Sequence, residues 1–93
     1  MHRITEVKIA GIPYAINYKN TEDMNGHIGL ADFNRQEISI NSDHTQPTQD
    51  IAVIHEIMHI ISDAYDLGLT EKQVKIGTHA LIAFLAENRQ FLE

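Results

Sequence analysis

The pentapeptide His55-Glu56-Ile57-Met58-His59 has the pattern H-E-x-x-H. It sits in an apolar run, with Ile51, Ala52, Val53 and Ile54 before it and Ile60 and Ile61 after it, and reads as part of a buried helix. Histidines four apart lie on one helical face, one turn above each other, so two imidazoles can bind the same metal ion. The Glu beside the first His can then reach a water activated by that ion, which is the arrangement of zinc-dependent hydrolysis. The chain has no Cys, so disulfides, thiol catalysis and Cys-ligated zinc are excluded and any metal must use His and carboxylates.

Two His ligands leave a tetrahedral zinc short by two, and a catalytic site takes one more protein ligand while keeping the last position open. Asp63 and Asp66 follow His59 too closely to swing round to its metal without breaking the helix. Two residues further on remain as candidates: Glu71, in the first turn of a second helix, and His79, about two turns later, which comes back alongside His59 if the two helices form a tight hairpin. If His79 is not a ligand, it is the first choice to stabilise an oxyanion, ahead of Tyr65, Tyr14 and Tyr18.

The elements that must position these groups can be read in order. Ile4, Val7, Ile9, Ile12, Tyr14, Ile16 and Tyr18 suggest two short strands joined by a turn at Gly11-Ile12-Pro13. Residues 19–26 are polar and turn-rich, with Glu22 and Asp23 as solvated surface. Residues 27–31 and 37–41 flank Asp32-Phe33-Asn34-Arg35-Gln36 as a hairpin, and Ile38 and Ile40 alternate with polar neighbours. The first helix is expected over 48–65, with Pro47 tolerated at its start and Ile51, Ile54, Ile57, Met58 and Ile61 buried. After a stop near Asp66-Leu67-Gly68, Thr70 caps a second helix with Gln73 at the capping-box position. Val74, Leu81 and Leu85, joined by Ala80 and Phe84, form its apolar stripe, and it ends around 88–91. The expected fold is α+β, a single domain over 1–93 with a small N-terminal antiparallel or mixed β-sheet followed by two α-helices.

At 93 residues the chain is near the lower limit for a self-sufficient core, so a metal or oligomerisation can add to its stability. A formal charge of -6 without a basic stripe argues against nucleic-acid binding. No run approaches the ~18 apolar residues of a membrane span, and Met1-His2-Arg3-Ile4-Thr5-Glu6 has no apolar signal core. A cytoplasmic location is the default expectation. His2, His27 and His44 read as surface residues, and Met24, Met58, Phe33, Phe84 and Phe91 as packing.

From Asp50 to Asn88 the chain resembles the short gluzincin metallopeptidases, the minigluzincins and the ImmA/IrrE-type enzymes common on phages and mobile elements. In those enzymes a second helix supplies the third zinc ligand, opening a stretch of the form Glu-x-x-Ala-Asn/Asp-x-x-Ala-x-x-Leu-Leu. Glu71, Val74, Leu81 and Ile82 fall in that register, while Lys75 replaces Asn or Asp, Thr78 replaces Ala, and His79 is an additional potential ligand. The resemblance implies a zinc metallopeptidase with His55, His59 and Glu71 as metal ligands, Glu56 as general base and a peptide or protein substrate. It also implies that an edge of the hairpin, around 29–31 or 37–39, pairs with an extended peptide.

Each feature has a plainer reading. Two His on a helix can be ordinary hydrogen-bonded residues, an acid in a first helical turn is favoured by the dipole alone, and His79 can be a satisfied core or surface His. The plainer function is a non-catalytic phage interaction protein in which zinc serves only as a structural staple.

Overall fold

A computed structural model describes residues 3–92. Four strands, β1 (Glu6–Ile9), β2 (Ile12–Lys19), β3 (Gly29–Asp32) and β4 (Glu37–Asn41), precede two helices, α1 (Gln46–Ala64) and α2 (Glu71–Glu87), and a closing 3-10 turn (Arg89–Leu92). This is the expected α+β order. The sheet runs β1-β2-β4-β3 and is mixed: β1/β2 and β3/β4 are antiparallel, while β2 and β4 pair in parallel from Ala15 with Glu37 to Lys19 with Asn41. No helix among the described residues is long and apolar enough to cross a membrane.

Ala10 and Gly11 both have positive φ, 51° and 79°. That is the requirement of a two-residue type I′ hairpin turn, whose twist matches the flanking strands. The turn therefore lies one residue earlier than Gly11-Ile12-Pro13 suggests, and Ile12 and Pro13 open β2.

The core is one face of the sheet closed by α1. Ile9, Tyr14, Ile16, Ile38 and Ile40 point inward at the two-residue period of a strand and meet Ala52, Val53 and Ile60. The most buried face of α1 is thus Gln49, Ala52, Val53, Ile60 and Ser62, rotated from the expected stripe, whose Ile51, Ile54, Ile57, Met58 and Ile61 are half-buried. Large side chains mark an amphipathic helix, but a helix lying flat on a sheet turns its small residues to the closest approach. α1 also starts two residues early, because Thr45 is extended and Pro47 fits the first turn.

α2 buries Val74 and Thr78 against α1 and little else. Leu81 and Phe84 are about two-fifths exposed and Ala80 is exposed, since no sheet lies beneath this part of the helix. Phe84 instead packs on Phe91 of the closing turn, ring centroids 5.3 Å apart. Met24 is buried as expected, whereas Phe33 stands exposed at the β3–β4 turn. His27 is exposed, His44 is half-buried, and His2 lies outside the described residues.

The loop 20–28 that carries the chain from β2 to β3 is held by one buried polar side chain. Asn41, fully buried at the end of β4, donates from Nδ2 to Thr21 Oγ1 and to the His27 carbonyl, and its Oδ1 accepts from the Asp43 N–H. The Asn41 backbone N–H donates to the Ile28 carbonyl at 2.8 Å. The Thr21 N–H donates to Asp43 Oδ2, which holds that carboxyl below its usual pKa. Removing a buried amide strands these partners, so Asn41→Ala is expected to lower the unfolding free energy in urea by about 1–3 kcal/mol. Asn34→Ala, on an exposed turn, should stay within about 0.5 kcal/mol. Equal effects of the two substitutions would remove Asn41 from this role.

Candidate metal centre

The H-E-x-x-H residues occupy the middle of α1, and the helical period does with them what their spacing requires. His55 Nε2 and His59 Nε2 are 3.2 Å apart, with the rings edge to face at 4.9 Å between centroids. Glu71 lies across both: its Oε1 is 2.7 Å from His55 Nε2 and its Oε2 is 2.7 Å from His59 Nε2. His55, His59 and Glu71 together could hold a metal ion. Ligand atoms at tetrahedral angles about 2.05 Å from an ion are separated by roughly 3.3 Å. The His–His spacing meets that value, and the carboxylate needs to draw back by only about half an ångström.

Glu71 arrives there because the connection between the helices is tightly specified. α1 ends in a Schellman motif: Asp66 is left-handed with φ 53°, the Leu67 N–H donates to the Ser62 carbonyl and the Asp66 N–H to the Asp63 carbonyl. The Ser62 hydroxyl, buried at the same turn, accepts from the Leu69 N–H at 2.9 Å. Thr70 then opens α2 with a complete capping box, its Oγ1 accepting from the Gln73 N–H while Gln73 Oε1 accepts from the Thr70 N–H. The first residue inside the new helix is Glu71, facing back across His55 and His59.

Of the two candidates for a third ligand, Glu71 joins the group and His79 does not. His79 nevertheless lines the same cleft, exposed, two turns along α2. The tyrosines are placed elsewhere. Tyr14 is buried in the core, Tyr18 donates its hydroxyl to the Ile4 carbonyl under the Arg3 guanidinium, and Tyr65 is exposed at the end of α1. Asp63 and Asp66, at that same end, are not in the metal group either.

The cleft encloses about 520 Å³, within the range of ligand sites. Ile28 and Gly29 form one wall, Thr48, Ile51, Ala52, His55, Glu56 and His59 the floor, and Glu71, Lys75 and His79 the other wall. Gly29 explains how β3 comes so close: a Cβ there would lie 3.1 Å from Glu56 Oε2 and 3.3 Å from its Cγ. The Glu56 side chain is half-buried beneath this strand. Burial raises its pKa, the His55 and His59 rings pull it down, Glu71 pushes it up, and His27 pulls it down. His27, exposed as expected, is thus also close enough to act on Glu56. Neither His27 nor Gly29 has a sequence spacing that relates it to Glu56; only the β3–α1 packing does.

No known protein family, curated protein or solved structure matches the chain.

The raised pKa of Glu56 has a definite sign in stability. Below the ordinary carboxyl value of 4.5 the group is neutral folded or unfolded, and burying it carries no charge penalty. As pH rises through the higher folded value, the fold must hold a buried carboxylate, and stability is lost. Metal-free Glu56→Gln protein should therefore be more stable than the parent at pH 7, with the gap closing by pH 4, in urea titrations with chelator present. A gap of the same size at both pH values would show that burial of charge is not its cause.

Proposed function

We propose that this chain is a zinc-dependent metallopeptidase of gluzincin type, with His55, His59 and Glu71 as metal ligands and Glu56 as general base. The observation that carries the reading is the convergence of two imidazole nitrogens and a carboxylate from the next helix in one cleft, with a half-buried carboxyl beside them. A nitrogen and oxygen donor set without thiolate suits zinc in a catalytic rather than a closed structural site. Zinc, when bound, supplies Lewis acidity toward a carbonyl and activates water near neutral pH.

The protein's own groups supply the rest. Glu56 accepts the proton of the attacking water and passes it to the leaving amine nitrogen, and its raised pKa favours keeping that proton between the two steps. His79, on the α2 wall, donates a hydrogen bond to the developing oxyanion. β3 is an edge strand, so its outer backbone groups are open to an extended peptide, and Gly29 sets that edge directly against Glu56. The resemblance to phage and mobile-element enzymes and the absence of Cys support a cytoplasmic peptide or protein substrate.

One observation favours the alternative of a non-catalytic, zinc-stabilised interaction protein. The ligands cross-link α1 to α2, and α2 itself buries little apolar surface, so a metal would staple the helical hairpin. Glu56→Gln separates the two readings. In a peptidase it should keep its zinc while losing about 10²–10⁴-fold in hydrolysis of a generic peptide. Full retention of biological effect in Glu56→Gln, together with unfolding of His55→Ala, would leave only the staple.

The ligand assignment has a separate measurement. In zinc competition titrations, Glu71→Ala should weaken binding by more than the roughly 10–100-fold typical of losing an outer partner, and His79→Ala by less than about tenfold. The reverse ranking would make His79 the ligand.

A further inference from the structure

We propose that the cleft selects peptides bearing a carboxylate close to the scissile bond, with Lys75 as its specificity-determining cation. This rests on the peptidase reading above. Glu71, Lys75 and His79 follow one another at intervals of four along α2, so they share one face, and all three line the cleft.

A Glu four residues before a Lys on a helix ordinarily pairs with it. Here Glu71 is turned away, both of its oxygens lying 2.7 Å from the two imidazoles. No Lys or Arg lies within ion-pair distance of a carboxylate among the described residues, so the Lys75 ammonium has no carboxylate partner there. Among the described residues, Lys75 is the only Lys or Arg that lines the cleft. The other acid of the cleft, Glu56, is half-buried and packed beneath Gly29, on the floor rather than on the α2 wall.

On the α2 wall the unpaired charge is therefore the positive one of Lys75. The facing wall, Ile28 and Gly29, carries no charge and has nothing to pair with a basic side chain. A substrate carboxylate gains an ion pair with Lys75, whereas a substrate Lys or Arg meets uncompensated repulsion, which is how specificity is set by what is disfavoured. The surface as a whole has a net charge of -6 and disfavours acidic peptides, so the preference has to arise locally.

The test uses three fluorescein-labelled peptide pools of equal length, acidic, neutral and basic in composition, titrated by anisotropy into zinc-loaded Glu56→Gln protein, which binds without turnover. The acidic pool should bind about three- to tenfold more tightly than the neutral one, the range of a partly screened ion pair. Lys75→Met should abolish that preference, Lys75→Glu should transfer it to the basic pool, and zinc content should be the same in all three proteins. A ranking that does not depend on residue 75 overturns the proposal, including one caused by acidic peptides simply coordinating the metal, as does failure of every pool to bind.

Hydrolysis by the unsubstituted protein keeps the two readings apart. Glu56-dependent cleavage that is indifferent to Lys75→Glu sinks the specificity proposal and leaves the peptidase. Lys75-dependent binding of acidic peptides by a protein that cleaves none of them sinks the peptidase and leaves the charge-selective cleft.

Discussion

The carboxylate of Glu71 lies across two imidazoles of the preceding helix, and the placement of both helices serves that contact. A Glu in a first helical turn would ordinarily do no more than favour the helix dipole. Its different use here follows from the connection: the Schellman end of α1, the Ser62 hydroxyl on Leu69 N–H and the capping box at Thr70 leave few conformations for 65–70. Hydrogen bonds of the connection, several of them from backbone N–H groups to side chains, thus join the packing of Val74 and Thr78 in determining where the third candidate ligand stands.

The β-sheet contributes from the other side. β3 is anchored through Asn41 and brought against α1 at Gly29, where a missing side chain admits the Glu56 carboxyl. The site therefore combines opposed demands. It needs a carboxyl buried enough to hold a proton and a neighbouring group of donors open enough to admit a ligand, and β3 supplies the first while α2 supplies the second. Burial of Glu56 works against stability at neutral pH, as expected where a residue's placement answers to chemistry rather than to packing.

Much of this is legible in the residues. The metal-binding face, the capping box and the β3–β4 hairpin depend on interactions within a few residues, where helical period and turn chemistry leave little choice. Glu71 and His79 could not be separated from spacing, because the choice depends on the angle at which α2 returns, and that is set by Ser62 and Asp66 acting together. The parallel pairing of β2 with β4 has no local signature, since each strand alternates in the same way whichever direction its neighbour runs. The buried face of α1 differs from the apolar stripe for a related reason: hydropathy ranks Ile above Ala, whereas the approach of Gly29 to Ala52 favours the smaller side chain. His27 and Lys75 gain meaning only from what lies across the cleft.

The parallel β2–β4 pairing also bears on the order in which the molecule assembles. Ala15 must find Glu37 across the whole of the intervening loop and β3, so this closure carries a larger loss of chain entropy than any hairpin. The metal group, by contrast, is contained within two consecutive helices and their short connection, a low-contact-order unit of the kind that forms quickly. The ligand set can thus come together before the sheet that covers Glu56 is complete, and β3 then closes over a centre that already exists. Glu56 is then the last part of the site to reach its native surroundings.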